Sequence, residues 1–321
     1  MNYIYRQIID ANINRVCEGL RVIEDYTRFS SQQKSATDTL ARLRKQISHS
    51  ETEHVRNLLP RNTGHDLRAG EVPAKRPDIV SLLKANFKRV QEGLRVLEEY
   101  AGNPLYNAIR YQVYNLEKEV ILRAMRPTLD PGVYLISHDL KILEQGLKWK
   151  VSAIQLRDKT SPKQIILKKA LSLAPKAKRA GVPFIVNDHL DIALASDADG
   201  LHTGQDDLDL VTIRKLLGPH KLIGRSSHNL KQGLAAQAAG ADYLGIGPIW
   251  STPTKPEGKA IGFQYLRVVK KNIRIPYVII GGVNLKSIKQ LAQFRPRHVA
   301  VISAWREIPN ITKLLLKREE Q

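Results

Sequence analysis

The chain has 321 residues, 42% apolar and 26% charged, with a formal net charge of +20, the proportions of a soluble globular protein with a basic surface. This length predicts two domains. The sequence contains no apolar run long enough to span a membrane and no N-terminal signal core, and its single cysteine, Cys17, excludes a disulfide framework or a cysteine metal cluster. We therefore expect a cytoplasmic protein in which Cys17 has a packing role.

The positive charge is spread along the chain, since residues 1–127 carry +6 and residues 128–321 carry +14. Such a field attracts phosphorylated metabolites and, non-specifically, nucleic acid. No basic motif interleaved with aromatic residues and no helix-turn-helix signature is present, so no specific nucleic-acid partner and no membrane partner is expected. A solvated basic surface without a partner is the alternative.

Residues 1–127 predict an all-α domain built on an internal repeat. Positions 8–26 and 82–100 are identical at 11 of 19 places, and each copy carries an apolar stripe at helical spacing. A weaker echo relates positions 43–55 to 109–121. We expect four helices related by a pseudo-twofold axis.

A second face of the repeated helix carries the same three residue types in both copies: Asn12, Arg15 and Gly19, then Asn86, Arg89 and Gly93. A glycine inside a helix costs about 1 kcal/mol relative to alanine. Keeping it twice indicates close approach by another helix or by a ligand. The alternative is plain helix crossing with ion pairs within the helix, such as Arg15–Glu18.

The segment RPTLDPG at 126–132 breaks the last helix and predicts the domain boundary. Beyond it, short apolar strands alternate with helical segments. Eight strands are predicted, at 132–138, 153–158, 183–188, 200–204, 222–227, 243–249, 276–283 and 298–304. This pattern favours an α/β (β/α)8 TIM barrel over residues 128–321. A doubly wound sheet is disfavoured because no glycine-rich fingerprint follows the first strand.

In this fold the reacting groups lie at the carboxyl ends of the strands. Gly281 and Gly282 lie at the end of the seventh predicted strand and Ser303 at the end of the eighth, where backbone N–H groups often bind phosphate. A purely conformational role for the two glycines is the alternative.

Two carboxylates belong to adjacent strands: Asp188 ends the predicted third strand, and Asp207 follows the fourth. Such oxygens suit a Mg²⁺ ion that bridges phosphate groups. Helix capping by Asp206 or Asp207 is the alternative.

Three cations, Arg157, Lys159 and Lys255, are expected at the same rim. One phosphate does not need three cations and a metal, so this cluster predicts a substrate with a diphosphate.

The strand ends carry an ordered series of motifs: QLRDK (155–159), ND (187–188), HTGQDD (202–207), GRSSH (224–228), GPIWSTPTK (247–255), IIGGV (279–283) and ISA (302–304). Over residues 131–307 this series resembles that of thiamine-phosphate synthases. The resemblance implies condensation of 4-amino-5-hydroxymethyl-2-methylpyrimidine diphosphate with 4-methyl-5-hydroxyethylthiazole phosphate and release of pyrophosphate.

The resemblance also implies roles by position. Gln155 would contact the pyrimidine. The diphosphate would be held by Arg157, Lys159, Asn187, Ser226 and Lys255, among which Arg157, Lys159, Ser226 and Lys255 would be catalytic. Asp188 and Asp207 would hold Mg²⁺. The thiazole phosphate would be bound by Thr252, Thr254, Gly281, Gly282, Ile302 and Ser303.

The chemistry that the resemblance implies agrees with these residue types. In this family pyrophosphate leaves first and the thiazole nitrogen captures the resulting cation, so the site must stabilise the leaving charge. Cations, hydroxyls and carboxylates are present for that task. Ile279 and Ile280 depart from the family, which has smaller residues before the glycine pair, and this departure puts the shape of the phosphate pocket in question.

The helical repeats resemble a domain fused to such synthases in some bacteria and proposed to be an alternative hydroxymethylpyrimidine-phosphate kinase. That activity would use ATP and supply the diphosphate substrate. The resemblance implies phosphate or metal ligands at Arg15, Arg21, Arg89, Arg95 and Asp66. No Walker A loop or kinase motif set supports it independently.

Two other functions are compatible with the sequence. One is a thiazole tautomerase-like barrel, which binds the thiazole phosphate without diphosphate chemistry; retention of Arg157, Lys159, Asp188, Asp207 and Lys255 argues against it. The other is a basic metabolite-sensing protein that binds nucleic acid, for which binding would fall steeply with salt.

Overall fold

The computed structural model describes residues 3–30, 33–50, 75–251 and 260–316. The chain divides into two compact units, Met1–Met125 and Arg126–Gln321. The first unit is helical and the second is a closed barrel of eight parallel strands. These two architectures confirm the fold class expected from the sequence.

Four α-helices form the described part of the first unit: α1 (Tyr3–Asp25), α2 (Lys34–Ser48), α3 (Ile79–Ala101) and α4 (Pro104–Ala124). A turn of π-helix, Tyr26–Ser30, follows α1. Helix α3 begins where the Asp78 carboxylate accepts the N–H of Ser81 at 2.7 Å, and it ends at Gly102 in the left-handed conformation. The sequence thus encodes both ends of the repeated helix.

The predicted apolar stripe forms the core of the helical unit. Its members are at most 1% exposed: Ile9, Ile13, Val16, Leu20 and Ile23 of α1, and Leu83, Phe87, Val90, Leu94 and Leu97 of α3. Cys17 is half-buried and packs against this cluster, as expected.

The two helix-interior glycines lie where α1 crosses α3. A Cβ atom on Gly19 would lie 2.7 Å from Cγ2 of Val90, and one on Gly93 would lie 2.7 Å from Cγ2 of Val16. Each helix therefore receives a valine of the other at its glycine. Helix crossing accounts for both glycines without a ligand.

The barrel strands follow one another around the sheet in chain order, and the eighth pairs with the first. They are β1 (Gly132–Ser137), β2 (Ala153–Leu156), β3 (Phe184–Asn187), β4 (Gly200–Thr203), β5 (Leu222–Ser227), β6 (Tyr243–Ile246), β7 (Tyr277–Ile279) and β8 (His298–Val301). Several strands end earlier than predicted, so most polar residues expected at strand ends lie in the loops that follow.

In the part of the barrel unit that the structure describes, eight helices accompany the strands: α5 (Leu140–Lys148), α6 (Lys163–Ala180), α7 (Leu190–Ala195), α8 (Leu210–Leu217), α9 (Leu230–Ala238), α10 (Gly262–Asn272), α11 (Leu285–Leu291) and α12 (Ile308–Leu316). Short 3-10 turns at Ala292–Phe294 and Trp305–Glu307 flank β8. Side chains of Asp139, Asp209, Asn229 and Asn284 accept N–H groups in the first turns of α5, α8, α9 and α11.

The barrel has an apolar layer on each face of its sheet. The outer layer joins strands to helices, with residues such as Leu135, Ile154 and Val299. The inner layer fills the barrel, with Tyr134, Ile185 and others. Polar residues at the inward positions nearest the carboxyl ends therefore surround a cavity above a closed floor. Within the described ranges, no helix has both the length and the apolar character needed to cross a membrane.

Candidate active site

The barrel opens at the carboxyl ends of its strands into one cavity that collects most of the predicted site residues. Its wall includes Gln155, Arg157, Asn187, Ser226, Gly281, Gly282, Ile302 and Ser303. These residues come from five different strands or from the loops that follow them. Closure of the sheet thus brings together positions nearly 150 residues apart.

Three further predicted residues flank that cavity in the surrounding loops. Lys159 forms an ion pair with Asp188, whose side chain is 18% exposed. Asp207 uses Oδ2 to accept the N–H of Gly204 at 2.7 Å. The remaining predicted residues, Thr252, Thr254 and Lys255, lie outside the described residues.

The segment after β2 sends alternate side chains in opposite directions. Arg157 lines the cavity and Lys159 reaches Asp188. Between them Asp158 is buried, 2.6 Å from Nζ of Lys169 on α6, and accepts the N–H of Ser161 at 3.0 Å. Burial alone would raise the pKa of the Asp158 carboxyl, but Lys169 and the backbone donors hold it well below its usual range. A fixed anion therefore anchors the loop that carries the two cations.

The two carboxylates expected to hold Mg²⁺ differ in how the backbone presents them. Asp188 has a φ of 64°, a left-handed conformation that, among residues other than glycine, asparagine and aspartate adopt more readily than most. Its carboxylate already holds an ammonium group, that of Lys159, so its oxygens face a position that a cation can occupy. Carboxylate oxygens are the hard ligands that Mg²⁺ prefers. Among the described residues, however, no group of three or more His, Cys, Asp or Glu side chains is placed to hold a metal ion.

Helix capping, the alternative for Asp206 and Asp207, is performed by a neighbouring residue. Asp209 accepts the N–H of Thr212 at 2.9 Å at the start of α8. Asp207 braces its own loop through Gly204 instead.

The glycine pair after β7 forms a bare corner of the cavity. Gly281 and Gly282 have φ angles of 93° and 74°, and Cβ atoms there would lie 2.5 Å from Pro248 and 2.9 Å from Trp250. The backbone conformation and the close packing therefore both require glycine at these two positions, which is the conformational role given above as an alternative. Within the described part of the chain, no hydrogen bond uses the N–H groups of Gly281, Gly282 or Val283. These N–H groups therefore have no described partner at this corner of the cavity.

The unusual isoleucines before the glycine pair are accommodated in two ways. Ile279 belongs to the outer apolar layer. Ile280 lines the cavity, and its Cγ2 lies 2.6 Å from the position of a Cβ on Gly247. The larger side chain thus occupies space left by a glycine on the neighbouring loop.

Sequence reasoning missed a group of polar side chains inside the barrel. Gln155 Nε2 donates to the Tyr134 hydroxyl at 2.9 Å, which lies 2.8 Å from the Tyr243 hydroxyl. His202 lies between Tyr243 and Ser226, with Nδ1 3.2 Å from the phenol oxygen and Nε2 3.0 Å from the Ser226 Oγ. The signal was available, because each residue occupies an inward position of an alternating strand.

Two glycines leave room for this group. A Cβ on Gly224 would lie 2.4 Å from His202 Nδ1 and 2.2 Å from Tyr243 Cζ. A Cβ on Gly245 would lie 3.0 Å from His202 Cε1. The bare faces of β5 and β6 therefore hold two rings inside the barrel.

The helical unit has a basic cleft of its own, with a volume of about 790 Å³. It is lined by Asn12, Arg15, Arg76, Ser81, Lys84, Ala85, Lys88, Arg89, Glu92, Gly93 and Val96. Arg15 and Arg89, from equivalent positions of the repeat, thus share one cleft.

The other ligands that the kinase resemblance implied are placed elsewhere. Arg21 pairs with Asp25 at 3.2 Å and Arg95 with Glu99 at 2.5 Å, each on its own helix. Asp66 lies outside the described residues.

Comparisons with known proteins match both units. Residues 130–305 match the family model described as thiamine monophosphate synthase, and residues 7–119 match the ThiD2 family. A thiamine-phosphate synthase of Thermosynechococcus vestitus is 38% identical over 93% of this chain and 90% of its own. One of Synechocystis sp. is 35% identical over 96% and 93%.

Among solved structures, a thiamine phosphate pyrophosphorylase from Pyrococcus furiosus superimposes with a TM-score of 0.53 and 28% identity. The match covers 60% of this chain and 99% of that one.

Proposed function

The chain belongs to the thiamine-phosphate synthase family, and we propose that its barrel joins 4-amino-5-hydroxymethyl-2-methylpyrimidine diphosphate to 4-methyl-5-hydroxyethylthiazole phosphate, releasing pyrophosphate. The enzyme is accordingly a transferase. One observation carries the proposal: a single cavity has Gln155 and Arg157 on one wall and the bare Gly281–Gly282 corner on another. An aminopyrimidine diphosphate and a second phosphate each have complementary groups there.

The leaving diphosphate is assigned to the wall formed by β2, β3 and β5. Arg157 and Lys159 supply positive charge, while Asn187 and Ser226 supply neutral donors. Charge that develops on the leaving oxygen is stabilised by donors already in place, without a protein nucleophile.

The cytoplasmic location expected from the sequence stays a prediction.

Magnesium is assigned to Asp188 and Asp207, on the loops after β3 and β4. When bound, Mg²⁺ neutralises charge on the diphosphate oxygens of the leaving group. Lys159 forms an ion pair with Asp188. If Mg²⁺ occupied that carboxylate, the ammonium group of Lys159 would be available to bind the diphosphate.

The thiazole phosphate is assigned to the glycine corner with Ile302 and Ser303. Backbone N–H groups there present donors at short range because no side chain intervenes. The sequence also predicts contacts with these substrates at three residues outside the described ranges, Thr252, Thr254 and Lys255.

The test is product formation from the two phosphorylated substrates. Arg157→Gln is expected to lower kcat/KM by about 100-fold, since charge-assisted hydrogen bonds contribute roughly 1.5–3 kcal/mol. Arg179→Gln removes the same charge from the exposed end of α6 and should keep wild-type kinetics. Absence of thiamine phosphate with the wild-type protein and both substrates would contradict the proposal. Isomerisation of a thiazole phosphate tautomer, without any pyrimidine substrate, would support the tautomerase alternative.

A second activity is supported by the cleft of the helical unit. We propose that it phosphorylates the pyrimidine monophosphate with ATP, which supplies the barrel's diphosphate substrate. A volume of about 790 Å³ suits a nucleotide-sized ligand, and five cations line it with one carboxylate. The match of residues 7–119 to the ThiD2 family is compatible with this activity.

The kinase test uses the full chain, pyrimidine monophosphate, ATP, Mg²⁺ and the thiazole phosphate. Arg89→Ala should abolish thiamine phosphate formation from the monophosphate and leave formation from the diphosphate unchanged. Arg42→Ala, which removes an exposed cation from α2, is the control. If the wild-type chain neither binds ATP nor uses the monophosphate, the repeats are scaffold.

A further inference from the structure

Five side chains form a continuous hydrogen-bonded series through the barrel interior. Its ends are Gln155 and Ser226, both on the cavity wall. Between them Tyr134, Tyr243 and His202 follow one another, with polar atoms 2.8–3.2 Å apart. Both tyrosines are about 1% exposed. His202 is half-buried, and all three of these residues line the same cavity. The series therefore runs along the cavity wall from Gln155 to Ser226.

The number of hydrogens in the series limits how it can be arranged. Burial raises the pKa of both phenols, so each keeps its one hydrogen. A hydroxyl that accepts from one neighbour is free to donate to the next. Gln155 presents its amide nitrogen to Tyr134, and an amide nitrogen only donates. The donor at this end sets the direction of every later bond.

We propose that the series is directed from Gln155 to Ser226 and makes His202 a positioning residue of the synthase reaction. Tyr134 donates to Tyr243, and Tyr243 donates to His202 Nδ1. His202 is then neutral with its hydrogen on Nε2, which donates to the Ser226 oxygen. The hydroxyl hydrogen of Ser226 is left to donate to the leaving diphosphate. This role rests on the proposed function of the cavity.

The opposite direction would have a different chemical consequence. With the amide reversed, Tyr134 would donate to Gln155 and each later bond would reverse. His202 would then carry its hydrogen on Nδ1, and Ser226 would donate to Nε2. Its hydroxyl would present only lone pairs to the diphosphate, which repel an anion. The position of one proton on His202 therefore distinguishes a donor site from a repulsive one.

The same direction also sets the other end of the series. Because the Gln155 nitrogen is engaged by Tyr134, its carbonyl oxygen remains to face the cavity as an acceptor. An exocyclic amine, such as that of an aminopyrimidine, matches it. One directed series thus prepares an acceptor for the ring and a donor for the leaving group.

The first test locates the proton directly and needs no substrate. The full chain labelled with 15N-histidine is compared with His202→Gln by NMR, which identifies the His202 ring signals. We expect the shifts of a neutral ring with hydrogen on Nε2. A ring with hydrogen on Nδ1, or a ring with both nitrogens protonated, overturns the proposal.

The second test asks whether Tyr243 acts through Ser226. Tyr243→Phe keeps the buried ring and removes the donor to His202, so kcat should fall roughly 10- to 100-fold with the KM for thiazole phosphate unchanged. Ser226→Ala should cost as much or more. In the double variant, Tyr243→Phe should add nothing to the Ser226→Ala effect. Additive losses would indicate separate roles and overturn the proposal.

A matched control separates function from stability. The Tyr265 hydroxyl lies 2.5 Å from the Ser227 Oγ, on the outer face of β5. Tyr265→Phe removes a buried phenol hydroxyl of the same kind and should leave kcat unchanged even if the melting temperature falls. An equal loss of kcat in both tyrosine variants overturns the directed series. Failure of the wild-type enzyme to form product contradicts the proposed function instead, whatever the proton position.

Discussion

At the scale of single residues, neighbouring side chains in the barrel mouth have separate tasks. Arg157 lines the cavity while Asp158, the next residue, is buried against Lys169. Substituting Asp158 would therefore affect the loop and not the ligand contacts directly. The two carboxylates for which we propose a Mg²⁺ role differ similarly, since Asp188 pairs with Lys159 and Asp207 accepts a backbone N–H of its own loop.

The left-handed backbone of Asp188 determines how its metal role should be tested. Alanine there would add backbone strain to the loss of charge, whereas asparagine tolerates this conformation. We expect Asp188→Asn to lower turnover by several orders of magnitude with an unchanged melting temperature, because each 1.36 kcal/mol of transition-state stabilisation is tenfold in rate. Mn²⁺ binding by electron paramagnetic resonance should weaken in parallel. Near-wild-type turnover in saturating Mg²⁺ would contradict the assignment.

A second residue, His298 at the start of β8, makes stability depend on pH. It is 4% exposed, and burial, with a smaller effect of Arg297, lowers its pKa from 6.5 to about 4. The unfolded chain therefore binds a proton that the folded chain rejects, and stability falls as pH decreases from 6.5 towards 4. The loss should reach about 2–3 kcal/mol, at 1.36 kcal/mol per unit.

Denaturant unfolding across that pH range measures the effect. His298→Gln cannot gain the charge, so its curve of unfolding free energy against pH should be flatter than that of the wild type. Parallel curves would show that other groups cause the decline.

At the scale of secondary structure, local patterns predicted which elements form more reliably than where they end. The eight strands and the repeated helix were evident from apolar spacing. The strand ends were not, because a barrel strand stops where hydrogen bonding to both neighbours stops, which depends on residues far away in the chain. β7 ends at Ile279 and leaves the glycine pair outside the sheet.

The candidate site shows the same division. The ordered motifs predicted Arg157 and Gly282 as site residues, and in the structure both line one cavity. Tyr134 and Tyr243 belong to none of the motifs, and His202, the first residue of HTGQDD, received no role from that motif. Their proximity results from closing the sheet, which a single sequence does not display.

The crossing of α1 and α3 predicts a strict size limit at its glycines. Gly19→Ala places a methyl group 2.7 Å from Val90, and overpacking of this kind costs typically 1–3 kcal/mol. Thermal unfolding of the helical unit should shift down accordingly. Adding Val90→Ala makes room for the new methyl group, so the double variant should lose less than the sum of the two single variants. Additive losses would indicate that the helices do not meet there.

At the scale of the whole molecule, the synthase activity is expected to reside in the barrel unit alone. The Pyrococcus furiosus structure is covered over 99% of its length by 60% of this chain, so a comparable barrel exists without the helical unit. We expect residues 126–321 to fold and to use the pyrimidine diphosphate with a kcat within about threefold of the full chain. An inactive but folded barrel, by circular dichroism and unfolding, would show that the helical unit completes the site.

The reciprocal contacts of Gly19 with Val90 and Gly93 with Val16 have a consequence for the symmetry of the helical unit. Each half of the repeat has a glycine that leaves space and a valine that fills the space at the glycine of the other half. Such self-complementarity is the defining property of an interface between two identical chains related by a twofold axis. The crossing of α1 and α3 thus has, within one polypeptide, the geometry of an interface between two identical chains.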